Sequence, residues 1–398
     1  MNSADVKPAS ERRARLLGSW TTVVPILAAI ALALTWGSKP AALVVAIIAV
    51  VLIGAIAGAV HHAEVIAHRV GEPFGSIVLA VAVTVIEVAL IVTLMVSGGP
   101  ETSTLARDTV FAAVMITANG IVGLALWIGA RRHGMAIFNA EGAGAALATV
   151  ATLAGLTMVL PNFTMSRPGP EFSPAQLTFA ACASLVLYAL FITTQTVRHR
   201  DFFMPIEEAD LIASGSTTTA VVEVDVEADG SSISDVDDGH DAANRPTGRE
   251  AMKSVGLLLV ALVAVVGLAK VESPAIESGV ASLGFPQSFV GVVIALLVLM
   301  PEGLAAVRAA RRNRVQTSLN LAYGSAMASI GLTIPAIALA SIWLNGPLLL
   351  GLNPTQMVLL ALTVAIGVLT VVPGRATRLQ GGVHLVLFAS FFFLSIYP

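Results

Sequence analysis

Charge is scarce in this chain. Asp, Glu, Lys and Arg make up 12% of its 398 residues, while 56% are hydrophobic; soluble domains carry about 25% charged residues. That scarcity excludes an ordinary soluble domain and points to a chain made for lipid. A single cysteine, Cys182, excludes an intrachain disulfide, and in its apolar run it reads as a small packing residue. HExxH, a nucleophile elbow and a P-loop are all missing, so no enzyme is signalled. No cofactor and no nucleic-acid partner are expected, and the oligomeric state is left open.

What is present is long apolar runs. A hydrocarbon core about 30 Å thick needs roughly 20 apolar residues of helix. Eleven runs qualify, the shorter ones as tilted or locally thinned spans, near 20–36, 41–60, 74–97, 108–130, 142–160, 174–197, 251–269, 287–307, 316–343, 355–373 and 382–397. The fold class is therefore an all-α membrane protein of about eleven transmembrane helices. Residues 1–19 are polar and basic, with Lys7, Arg12, Arg13 and Arg15, and read as a cytoplasmic leader. With the N-terminus inside, only Lys39, Arg107, Arg167 and Lys270 of the 22 Lys and Arg fall outside, as the positive-inside rule requires.

Residues 206–241 hold eleven Asp or Glu and no Lys or Arg, a solvated cytoplasmic linker. Within it Asp225, Glu227, Asp229 and Gly230 follow a calcium-loop spacing, but Val236 stands where a bidentate Glu is needed, so weak cation attraction is the better reading. The expected organisation is a leader (1–19), a first helix (20–40), a five-helix repeat (41–200), the acidic linker (201–250) and a second five-helix repeat (251–398). An odd number of spans per half inserts the halves with opposite orientation, a transporter design whose site lies at the midplane between them, and it leaves the C-terminus outside.

Two acidic residues lie deep in the spans: Glu87 in VAVTVIEVALIV and Glu302 in LLVLMPEGLAAV, each in the second span of its half. An ionised carboxylate in hydrocarbon costs at least about 2.5–3.5 kcal/mol, so it faces a cavity, a partner or an ion. Around them, Thr84 shares a helical face with Glu87. Pro301 and Gly303 flank Glu302 and predict a broken helix offering carbonyl oxygens. The following spans add Thr117, Asn119, Ser325 and Ser329 as oxygen donors, residue types that also serve as interhelical glue. HHAEVIAHRVGE puts His61, Glu64 and His68 along one face near the cytoplasmic end of span two, where a polar helix end competes with a metal site or pH sensor. Gly54 and Gly58 form a GxxxG pattern suited to close packing.

Taken together these segments resemble the calcium/cation:proton exchanger family of the cation exchanger superfamily, and most closely its bacterial ChaA-type branch. HAEVIAHRVGEPFGS, with Glu64, Arg69, Gly71 and Glu72, is similar to the family's ATEELAERLGETIGG stretch; RHGMAIFNAEGA, with Arg132, His133, Phe138 and Asn139, to its RHxxxxFN segment; and QTSLNLAYGSAMASIGLTIP carries Gly324, Ser325 and Pro335. The resemblance implies that Glu87 and Glu302 are the glutamates of the two GNxxE signatures, binding cation and proton alternately. The signatures' Gly-Asn is replaced here by Val83 and Thr84, and by Val298 and Leu299; Gly303 stands for a His, and Ala328 for a Gln.

The expected activity is exchange of cytoplasmic Ca2+, with Na+ or K+ as further loads, for external protons across a bacterial plasma membrane. Glu87 and Glu302 would hold the cation, with Thr84, Asn119, Ser325 and Ser329 adding oxygens and Glu64, Glu72 and His68 forming a proton pathway. Burial disfavours a charged carboxylate and a nearby cation favours it, so proton and metal compete for the same oxygens. A Na+(K+)/H+ antiporter with little Ca2+ transport, and a cation channel using the same carboxylates, are the alternatives.

Overall fold

The computed structural model describes residues 9–38, 40–71, 74–98, 102–204, 246–343 and 346–398. Eleven helices account for nearly all of them: α1 (Ala9–Thr35), α2 (Ala42–Val70), α3 (Phe74–Gly98), α4 (Leu105–His133), α5 (Ala140–Asn162), α6 (Pro174–Arg198), α7 (Gly248–Ser282), α8 (Phe289–Arg311), α9 (Val315–Ala340), α10 (Pro354–Val371) and α11 (Arg378–Ile396). Ten of these are long and apolar enough to cross a membrane, and α1 adds a shorter apolar stretch at Trp20–Thr35. The acidic linker and its calcium-like loop lie outside the described residues, as does Glu72.

Local chemistry sets the helix starts. Ser173, Thr247, Asn353 and Thr377 each close a capping box with Gln176, Glu250, Gln356 and Gln380, satisfying first-turn N–H groups that lipid cannot. Asn139 caps α5 by accepting from Glu141 N and Gly142 N. Expected and observed spans agree closely except at α2, which runs on to Val70 instead of ending near 60, and at α7, which runs on to Ser282 instead of ending near 269. Pro274 lies inside it, and neighbouring helices make such a proline tolerable in a membrane.

Packing across the two halves is reciprocal. In the first half α4 is covered by α8 and α11, and in the second α9 is covered by α3 and α6. These two helices are also the most enclosed of the spans, and both depart from regular helix: α4 carries a π stretch at Ile116–Ile121, and α9 breaks at Leu332. Glu87 and Glu302 are each the fourteenth residue of their helix, the same register in the two halves. Near the other rim, α2 and α7 run antiparallel, with His62 Nδ1 3.2 Å from Ser254 Oγ and His62 Nε2 2.9 Å from the Thr21 carbonyl of α1. Gly54 and Gly58 face Val24 and Pro25 of α1, which is the packing role expected of that pair.

Two-residue strands, β1 (Ala136–Ile137) and β2 (Arg375–Ala376), tie the end of α4 to the start of α11. There the backbones approach so closely that a Cβ on Gly381 would meet Trp127 N at 2.6 Å and Gly123 O at 3.0 Å. Gly381→Ala is therefore expected to lose about 1–3 kcal/mol, the usual cost of forcing extra volume into a packed contact. A lower unfolding temperature in detergent, followed by intrinsic fluorescence, checks it; an unchanged transition contradicts the close approach.

Candidate cation-binding site

Along α3, exposed Val81 and Val85 mark one face, and Val83, Thr84, Ile86, Glu87 and Leu90 are buried. The Glu87 side chain, 2% exposed, meets α9, where Ser329 donates to its Oε2 at 2.9 Å. Ser325, Ser329 and Thr333 follow at intervals of four, a spacing that places them on one helical face. Thr333 is close enough to act on the Glu87 carboxylate, yet its hydroxyl and Glu87 Oε1 both stand buried without a hydrogen-bond partner. The geometry decides here: Thr333 is a neighbour of the carboxylate and not a bonded donor.

On α8, exposed Leu296, Met300 and Leu304 form the outward face, and Glu302 projects from the opposite side. Glu302 feels the charge of both Glu87 and Glu64, and its Oε2 is buried with no partner. Three buried oxygens without hydrogen bonds, Glu87 Oε1, Glu302 Oε2 and Thr333 Oγ1, thus belong to one group of side chains. Leaving such groups bare in a membrane interior costs several kcal/mol each, of the order given for unsatisfied polar groups. A proton or a cation relieves that cost, which makes this the place in the fold suited to either.

The break predicted at Pro301 is not observed: α8 runs unbroken from Phe289 to Arg311. It occurs instead in α9 at Leu332, beside Ser329 and Thr333. Pro335 explains it, since a proline lacks the N–H that the Gly331 carbonyl would use.

Asn119 also departs from expectation. Its Nδ2 donates to Thr363 Oγ1 at 2.9 Å, and its Oδ1 meets His384 Nδ1 at 3.1 Å, while His384 Nε2 meets Thr370 Oγ1 at 3.1 Å. The amide is thus engaged by α10 and α11, with both ends satisfied, and is not presented to the glutamates. Thr117 bonds back to its own helix at Ala113 and Val114.

Glu64 is exposed near the end of α2, within reach of His68, Arg308 and Glu302. No three His, Cys, Asp or Glu side chains among the described residues come together as a metal cluster, which leaves His61, Glu64 and His68 as a polar helix end. The physical reason is division of labour: neighbouring His62 is the buried ring, committed to α1 and α7, while Glu64 lies within range of α8 charges. Sequence reading missed Thr333, which the four-residue spacing from Ser329 signals. It also missed Glu272, 3% exposed with Oε1 unpartnered, because α7 continues past its expected end.

The model of the sodium/calcium exchanger protein family matches residues 40–197 and 253–397. This chain belongs to the sodium/calcium exchanger family. Exchangers of this family are transporters and not enzymes, and the ChaA-type resemblance holds over nearly the whole chain. The sodium-potassium/proton antiporter ChaA of Escherichia coli is 32% identical over 372 residues, covering 93% of this chain and 94% of that one. An ionic transporter of Sinorhizobium fredii, y4hA, is 43% identical over 382 residues, covering 95% and 96%. Among solved structures, the H+/Ca2+ exchanger CAX aligns with a TM-score of 0.67 at 17% identity, covering 96% of this chain and 88% of that one. Native YfkE aligns at 0.65 and 15%, covering 95% and 99%. At such identity both establish a shared exchanger fold.

Two substitutions separate the roles assigned above. Ser329→Ala removes the donor to Glu87 and is expected to weaken cation affinity about 10-fold or more, since hydrogen bonds to charged groups contribute about 1.5–3 kcal/mol, as read from the half-saturating cation concentration in proteoliposomes. Asn119→Ala leaves His384 Nδ1 without its partner and takes the amide donor from Thr363 Oγ1, and should lower detergent stability by about 1–3 kcal/mol; a fully stable variant with lost cation affinity would restore Asn119 to the ion site.

Proposed function

We propose that this exchanger is a cation:proton antiporter in which Glu87 and Glu302 hold a cation or protons in alternation. The observation that carries this reading is the buried Glu87 carboxylate, bonded to Ser329 across the two halves, with Glu302 in electrostatic range and unpartnered oxygens beside it. Two carboxylates neutralise one Ca2+ or two monovalent ions. With Ser325, Ser329, Thr333 and the Gly331 carbonyl near the α9 break, they supply the six to eight oxygens that Ca2+ prefers. Thr84, buried one turn before Glu87, is a further oxygen on the same face.

Alternating access follows from electrostatics. With both glutamates ionised and empty, the buried charge makes switching sides costly, whereas the cation-loaded or protonated forms are neutral and can switch. Exposed Glu64 lies within electrostatic range of Glu302, and Glu64 and His68 form its approach. The reciprocal packing and matched glutamate register support two inverted five-helix repeats, residues 41–200 and 251–398, with α1 added in front. The distribution of Lys and Arg supports a bacterial plasma-membrane protein with the N-terminus and acidic linker in the cytoplasm and the C-terminus outside.

Ca2+ is the proposed cation, with Na+ and K+ as further loads. The relative named as a sodium-potassium/proton antiporter favours the second reading, in which monovalent ions dominate. Proteoliposomes with an internal pH dye and a panel of Ca2+, Na+ and K+ decide between them. Glu87→Gln and Glu302→Gln are each expected to abolish cation-driven proton movement while the protein still elutes as a folded species. Full exchange by either variant would sink the mechanism, and cation flux without proton movement would identify a channel.

A further inference from the structure

The first helices of the two halves end alike. HAEVIAHRVG in α2 and AIESGVASLG in α7 each place a glutamate, Glu64 and Glu277, seven residues before a glycine that terminates the helix in the left-handed region, Gly71 at φ +79° and Gly284 at φ +74°. The next helix in each half then carries Glu87 or Glu302 at the same register. Along α1, Thr21 meets His62 beside Ser254, Val24 meets Gly54 and Leu32 meets Gly267, so α2 and α7 run antiparallel and Glu64 and Glu277 lie toward opposite membrane faces.

Glu277 occupies ground suited to that position. Half-buried, it accepts a hydrogen bond from Ser273 Oγ at 3.0 Å and borders a small crevice with Leu94, Thr102, Asp108, Gln287 and Ser288, where the ends of α3, α4, α7 and α8 meet. Two of those helices carry Glu87 and Glu302. Asp108, the other acid there, is already engaged by Arg107 at 2.8 Å, Thr104 at 2.8 Å and Gln356 at 3.2 Å. Lys270, two turns earlier on α7, lies over the Trp36 ring at 5.3 Å, and no ion pair to Glu277 exists among the described residues. No basic side chain among the described residues therefore occupies the Glu277 carboxylate, which stays available to an incoming ion.

We propose that Glu277 is the opposite-face counterpart of Glu64: a positioning residue that concentrates cations and protons at the crevice where the helices carrying the buried pair meet, on the face where α7 ends. This rests on the antiport reading above. A carboxylate at the mouth of a narrow low-dielectric crevice raises the local concentration of positive ions about 10-fold or more, and its removal is felt only by ions arriving from that side.

The test measures half-saturating cation concentration at each face, using right-side-out and everted membrane vesicles with a pH dye. Glu277→Gln is expected to raise it about 10-fold at the face where α7 ends and to leave the other face unchanged; Glu64→Gln should give the mirror result. Glu277→Asp should recover most of the loss, and Ser273→Ala, which frees the carboxylate without removing it, should give a smaller change on the same side. If Glu277→Gln fails to accumulate, the last two variants carry the test. Equal changes at both faces, or none, with Glu87→Gln inactive, overturn the role of Glu277 alone. Exchange surviving in Glu87→Gln overturns the antiport reading and this role together.

Discussion

A carboxylate held in a membrane interior has to be matched by something other than water, and the hydrogen bond from Ser329 to Glu87 is the match on which this molecule turns. Its two ends belong to different halves of the chain, so the site exists only when α3 and α9 dock. That docking depends in turn on places where side chains have been reduced to hydrogen. A Cβ on Gly291 of α8 would meet Thr109 N of α4 at 2.8 Å, and one on Gly331 of α9 would meet Tyr188 of α6 at 3.0 Å. Bulk at either place would push apart the helices that bring the carboxylates and hydroxyls together.

Most polar groups elsewhere in the spans are closed circuits. His384 is bonded at both ring nitrogens, Asn119 at both ends of its amide, and His62 bridges three helices. At the rim, Asn139 N donates to Gln316 Oε1 at 2.7 Å, and Gln316 Nε2 to Asn320 Oδ1 at 2.9 Å, fastening the start of α5 to α9. These contacts spend their donors and acceptors within the protein and so hold helices together. Around Glu87 and Glu302 the oxygens remain uncommitted. The contrast is thermodynamic: a satisfied network gains nothing from an ion, whereas an unsatisfied pair of carboxylates pays its desolvation cost until a cation or proton arrives.

Membrane partitioning made much of this legible in the sequence. Apolar runs of span length, basic clusters between them and two glutamates in matching runs are each dictated by the intolerance of hydrocarbon for charge and bare backbone, so the helix number and the pair Glu87 and Glu302 could be read without coordinates, as the family could from its motifs. Ser329 was visible for the same reason, as an oxygen donor in the apolar span that follows Glu302.

Direction and partnership were not legible, because they depend on which face of a helix meets which neighbour. Asn119 and Ser329 look equally suited to an ion in the sequence, but α4 turns Asn119 toward His384 while α9 turns Ser329 toward Glu87. Pro301 sits in a helix that its neighbours keep continuous, and Pro335 accompanies the break that occurs. Glu272 and Glu277 entered the account only once α7 proved longer than its apolar core. Composition and period thus determined which residues must be inside the membrane; only tertiary packing decided which of their polar atoms were consumed by the fold and which were left for a transported ion, since that is settled by contacts between segments far apart in the chain.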